Sequence, residues 1–146
     1  MTTTRPAKLY SPAMLGLATE LVRFPLTADL PYRAEARSRS CGSVIAVGLA
    51  LGPDGHIAQI GMQVSACAIG QASAALLAQG AVGGTGEGIA QTTRALEDWL
   101  AGAGLLPDWS GIAVLAPARE HPGRHGALLL PWTAASMALS SATTPG

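Results

Sequence analysis

The sequence predicts an α+β fold in a single domain, and three observations predict it. Two β-rich runs, "SVIAVGLAL" and "HIAQIGMQV", flank Pro53-Asp54-Gly55, and Asp-Gly between apolar runs is a strong hairpin signal. In "VSACAIGQASAALLAQ", Val64 to Gln79, the pattern then changes from strand, up to Ala66, to a helix of small residues from Ile69. Capped helical segments stand before the hairpin and after it. The 146 residues suffice for one domain with a real core, and neither a repeat nor a linker divides them.

The elements follow in order. Residues 1–8 read as a loose terminus. "SPAMLGLATELV" places Ser11 at an N-cap and Pro12 at the first helical position, with Met14, Leu15, Leu17, Ala18, Leu21 and Val22 as the apolar side. "RFPLTADLPYRAEARSRS" is Pro-broken and mostly extended. Its end, "AEARSRS", reads as an edge strand, because charged side chains blunt edges. The hairpin comes next, then "AIGQASAALLAQG" as a helix ending near Gly80. "GGTGEGIAQTTRALEDWLAGAG" gives another helix, with Thr85 as N-cap, Gly102 as stop and Ile89, Leu96, Trp99 and Leu100 inward. "LLPDWSGIAVLAPAREHPGRHG" reads as irregular around one short helical turn. "ALLLPWTAASMALSS" is a last helix with Pro131 near its beginning, and residues 141–146 read as loose.

Composition narrows the functional classes. Formal net charge is zero, which gives no reason to expect nucleic acid or an acidic membrane surface as partner. Charged residues are 12 % of the chain, about half the usual share of roughly 25 %. No charge occurs between Gly55 and Gly86, yet Gln59, Gln63, Gln71, Gln79 and several glycines interrupt the stretch. A spanning helix needs about 20 continuous apolar residues, so no membrane span is expected. "MTTTRPAKLY" has no apolar core of a signal peptide, and two cysteines without a secretory signal point to a reducing cytoplasm. There the thiols serve as ligands, reactive groups or core rather than as a disulfide.

The hairpin brings those thiols together. With a three-residue loop, Pro53 to Gly55, Cys41 stands opposite Cys67, and opposed residues have Cβ atoms about 4.5–5.5 Å apart. With a two-residue Asp54-Gly55 turn, Ile45 pairs with Val64, Val47 with Met62 and Leu49 with Ile60, which shifts Cys67 one place out of line. Either register delivers both cysteines to the open end of the hairpin, with Cα atoms expected within about 8 Å. Cys41 precedes Gly42, where backbone can approach a ligand. Cys67 stands at a helix N-terminus, whose free N–H groups and positive dipole end favour a thiolate.

"CGS" before a strand, a second cysteine in "ACAIGQASA" after the hairpin, and "RHGALLLPW" near the C-terminus form an ordered set. In this it resembles the NifU N-terminal, IscU-like and SufU-like family of iron–sulfur cluster assembly scaffolds, from about Tyr10 to Leu139. The resemblance implies a small antiparallel sheet of about three strands packed against helices on one side. It also implies a site of three cysteines and one aspartate, which holds a transient iron–sulfur cluster or zinc. Sulfur would come from a cysteine desulfurase, and clusters would leave to acceptor proteins.

The chain departs from that pattern at two positions. Ser43 stands at the family aspartate, and Ala127, counted back from "LPW", at the third cysteine. Cys41 and Cys67 match. His125 can replace the lost thiol, since imidazole binds zinc and iron well, and Glu120 and His121 lie on the same loop. His56, beside the hairpin turn, is expected to face solvent. The expected function is therefore a diverged cluster scaffold or metal carrier using Cys41, Cys67 and His125. The alternative is a partner-interaction or regulatory domain on the same fold that holds no cluster. A thiol enzyme pairing Cys67 with His125 would need a group orienting the base, and the sequence supplies none.

Overall fold

The computed structural model describes residues 11–39 and 42–143. In chain order the elements are α1 (Pro12–Thr19), a 3-10 turn (Glu20–Arg23), β1 (Tyr32–Arg37), β2 (Val44–Leu51), β3 (Ile57–Ser65), α2 (Ala68–Ala81), α3 (Gly86–Leu100), a 3-10 helix (Ile112–Glu120), a short turn (Pro122–Arg124) and α4 (His125–Thr143). The strands form one antiparallel sheet in the order β1-β2-β3. The helices pack on one of its faces, with α4 against β1 and β2 and α2 between α1 and α4. Among the described residues no helix is long and apolar enough to cross a membrane.

The register of β2 and β3 is the one that best matches apolar residues: Ile45 pairs with Val64, Val47 with Met62 and Leu49 with Ile60. Alternation then sends Ile45, Val47 and Leu49 to the helix side, where all three are buried. The ladder shifts between Ala50 and Leu51, and Gly55 turns the chain at φ +82°. This bulge settles the choice between the two registers: one extra residue is absorbed in the strand, next to the turn. Continued past Val44 and Ser65, the same register sets Gly42, rather than Cys41, across from Cys67.

On the opposite face, Gly48 and Gly61 sit side by side and a strap of chain crosses them. A Cβ on Gly48 would lie 2.8 Å from Leu26 Cδ1 and 2.9 Å from Leu30 Cβ, and one on Gly61 would overlap the Pro25 carbonyl oxygen. The missing side chains let the segment from Phe24 to Leu30 lie directly on the sheet. The Met62 N–H donates to the Phe24 carbonyl at 2.9 Å.

The caps stand where the sequence places them. Ser11 Oγ accepts from the Met14 N–H, and Thr85 Oγ1 from the Gly88 N–H, both at 3.1 Å. Gly102 follows α3 at φ +82°, and Ile89, Leu96, Trp99 and Leu100 are buried. Three readings need correction. Leu15 and Val22 are 48 % and 82 % exposed: α1 spans only two turns, and the tighter 3-10 turn after it rotates Val22 outward. The segment before α4 holds a nine-residue 3-10 helix rather than one short turn. Finally, α4 starts at His125 and continues through Pro131 to Thr143. Pro131 has no N–H for the carbonyl of Ala127, four residues earlier, and that carbonyl faces Gly70 instead.

Candidate functional site

At the open end of the hairpin, Gly42, Ser43, Ser65, Ala66, Cys67 and Arg124 line a cavity of about 300 Å³. Each comes from a different constraint. Ser43 precedes β2 and is 3 % exposed, and its carbonyl accepts from the Ser38 N–H at 2.9 Å, closing the β1–β2 connection. Gly42 takes φ +70°, a conformation suited to glycine. Ser65 ends β3. Cys67 is the N-cap of α2, with extended backbone at φ −67°, ψ 172°; its carbonyl accepts the Gln71 N–H at 2.9 Å. Its thiol is half-buried and makes no capping hydrogen bond to the first turn of α2.

Cys41 lies outside the described residues, and so do residues 1–10. Its chain neighbour Gly42 lines the cavity with Cys67. Ala127, the second departure, is fully buried next to the first turn of α2. A Cβ on Gly70 would lie 3.5 Å from the Ala127 Cβ and 3.3 Å from its carbonyl oxygen. The two departures from the family pattern thus flank one helix start: Ser43 in the cavity wall, and Ala127 one turn along from Cys67.

His125 opens α4 outside the set of cavity-lining residues. Its Nε2 lies 2.9 Å from the carbonyl oxygen of Arg119; since a carbonyl only accepts, Nε2 carries the proton and Nδ1 the lone pair. His121 turns its Nε2 into the protein, where it has no hydrogen-bond partner among the described residues. Glu120 is exposed and lines a different depression, with Trp99 and Arg119. His56 is solvent-facing and bound to Asp54, Nδ1 to Oδ2 at 3.2 Å. Among the described residues no three His, Cys, Asp or Glu side chains converge as a metal site. Arg124, in the cavity wall, is the residue sequence reasoning missed; the signal was its place in "PGRHG", just ahead of the last helix.

A second cluster explains the "QASA" and "LPW" wording without any ligand. Ser73 and Trp132 are fully buried; the Trp132 indole N–H donates to Ser73 Oγ at 2.9 Å, and Ser73 donates to the Leu128 carbonyl at 2.6 Å. Trp109 meets Trp132 edge-to-face at 4.8 Å and donates to the Leu76 carbonyl at 2.8 Å. These bonds fix the start of α4 against the middle of α2.

Comparison with solved structures finds chains of the same fold. The N-terminal part of a nitrogen-fixing NifU-like protein from Brucella abortus superposes with a TM-score of 0.85 at 26 % identity, covering 93 % of this chain and 96 % of that one. A protein from Fervidobacterium islandicum AW-1, named as an iron–sulfur cluster assembly scaffold for the SUF system, gives 0.81 at 21 % identity, with 90 % and 96 % covered. A hypothetical protein shares the fold at a TM-score of 0.65 and 17 % identity, with 88 % and 97 % covered. No family model matches the sequence, and no curated relative matches it either. In fold and in the order of its elements, the chain is similar to the NifU-like N-terminal structure, and it shares its fold with the SUF-system scaffold protein.

Proposed function

We propose that the protein is a diverged iron–sulfur cluster scaffold or metal carrier, whose cargo is held transiently at the open end of the hairpin. The observation that carries this reading is the cavity that joins Gly42 and Ser43, at the start of β2, to Cys67, at the start of α2. Cys41 and Cys67 are the proposed thiolate ligands. His125 is the proposed third: its Nε2–H is bound to a backbone carbonyl, the arrangement that orients metal-binding histidines, and Nδ1 keeps its lone pair. Three protein ligands leave a fourth position open, which suits transfer better than storage. The cargo would be a cluster or zinc, the sulfur donor a cysteine desulfurase and the recipients cluster acceptor proteins, as for the family.

A second reading has its own support. Ser43 is nearly buried, Ala127 fully so, and among the described residues no carboxylate lines the cavity. A domain that keeps the fold for partner binding and holds no cluster would show the same features. Metal and sulfide analysis of protein purified without oxygen separates the two. The scaffold reading expects zinc or iron, lost in Cys41→Ala and Cys67→Ala; the partner-binding reading expects none in any form.

A further inference from the structure

Among the described residues, the sheet face opposite the helices is only half covered. The strap from Phe24 to Leu30 lies over the Gly48–Gly61 end. Beyond it, Val44, Ala46, Gln63 and Ser65 form a floor of short side chains, with β1 as its rim. Two shallow troughs of about 380 and 160 Å³ lie on this half. Ser65 lines the smaller trough and the Cys67 cavity, so the two surfaces are continuous.

The charge on this surface is mainly basic. The β1–β2 register puts Arg33, Glu35 and Arg37 on the bare face. Arg39 is exposed just beyond β1, and Arg124 stands in the cavity wall. Four of the chain's nine basic residues therefore surround this face and its mouth, although the chain as a whole is neutral. The opposing carboxylates are Glu35, bound to Arg37 at 3.1 Å, and Asp29 on the strap. Arg33 is held by the neutral carbonyls of Thr27 at 2.8 Å and Leu30 at 3.1 Å, which fix its head without cancelling its charge. Arg124 has no ion-pair partner among the described residues.

We propose that this half-face docks an acidic, extended segment of a partner protein and presents that partner to the Cys67 cavity. The charge selects carboxylates. The flat floor and the period of β1 select an extended chain: its alternate side chains recur about every 6.8 Å, so carboxylates two repeats apart face Arg33 and Arg37, while Glu35 between them is already bound to Arg37. That the partner exchanges sulfur or metal with Cys67 rests on the reading above; the docking surface does not.

The probe is a fluorescent peptide of about ten residues alternating Glu and Val, titrated into the full chain, with the Lys-for-Glu peptide as control. Saturable binding of the acidic peptide alone is expected. It should weaken about tenfold in the double variant Arg37→Ser, Arg39→Ser, and similarly in about 0.5 M salt, where surface charges are screened. Arg94→Ser, an exposed arginine on α3, should bind as the native chain does. Amide shifts should fall on Ala46, Gln63 and Ser65. No binding, equal loss in Arg94→Ser, shifts confined to the helices, or a face occupied only by a second copy in sedimentation would each overturn the proposal. Metal analysis of the same samples keeps the two ideas apart: peptide binding in a chain that never holds metal would sink the scaffold reading and leave the docking surface standing.

Discussion

Trp132 donates its indole N–H to the hydroxyl of Ser73 at 2.9 Å, and both side chains are fully buried. The same hydroxyl donates to the Leu128 carbonyl, so one serine satisfies two buried groups of α4. Ser73→Ala should leave the buried indole N–H unpaired and remove the second bond to the Leu128 carbonyl, which keeps its place in the α4 ladder, at about 1–3 kcal/mol for the orphaned donor. Ser73→Thr keeps the hydroxyl but adds a methyl to a closed interface, so it should cost less than alanine only if the interface yields. Urea unfolding of the variants checks the order. A Ser73→Ala protein as stable as the native one would show that the network contributes little.

The glycine pair under the strap gives a graded expectation. A methyl on Gly48 meets the end of Leu26, which can shift, and the Cβ of Leu30, whereas one on Gly61 overlaps the backbone carbonyl of Pro25. Gly61→Ala should therefore destabilise more than Gly48→Ala, by more than the roughly 1–3 kcal/mol typical of overpacking. Thermal unfolding of the two proteins compares them directly.

Much of the fold was legible because local chemistry and tertiary packing agree. The pairing of Ile45 with Val64 and Leu49 with Ile60 made one of the two open registers the better apolar match, and that is the one formed, while Ser11 and Thr85 announced their helices. What was not legible depended on partners distant in sequence. Nothing near Gly48 or Gly61 announces the strap that needs them. Ser73 and Trp132 lie 59 residues apart, and each alone reads as ordinary core. Val22 fits an apolar helix stripe until the 3-10 turn changes its direction. At the open end of the hairpin, the sequence reading brought Ser43 and Cys67 to the same end of the sheet, where both line one cavity. It did not reveal that Arg124 shares their cavity wall, because a lone arginine ahead of a helix has no spacing pattern.

The hairpin turn carries a pH-dependent element. The Asp54 carboxylate accepts from the His56 backbone N–H at 3.1 Å, and this bond, aided by the His56 charge, lowers its pKa below the free value. A depressed carboxyl stabilises the fold above the unfolded pKa and loses that contribution as pH falls through the folded one. The turn should therefore be ordered at neutral pH and loosen only under acid. Following the His56 amide and the Asp54 carboxyl by NMR between neutral and acidic pH tests this, with Asp54→Asn expected to abolish the transition. An Asp54 that titrates at or above the free value would contradict it.

Helix caps give a simpler check on α3. Thr85→Ala removes the acceptor for the Gly88 N–H and should cost about 1 kcal/mol, with Thr85→Ser recovering most of it. Equal loss in both variants would point to the threonine methyl rather than to the cap.

The central claim is that the open end of the hairpin is a cargo site from which two ligands have been lost, and restoring them tests it most directly. The measurement is zinc and iron content, with acid-labile sulfide, in the native chain and in Ser43→Asp, Ala127→Cys, each purified without oxygen. Position 43 lines the cavity with Cys67, and position 127 abuts the first turn of the helix that Cys67 caps. The added carboxylate and thiolate should therefore raise metal or cluster retention well above the native level, and His125→Ala should then matter less than it does in the native chain. A restored protein that holds no more metal than the native one would contradict the claim and leave the partner-binding reading in its place.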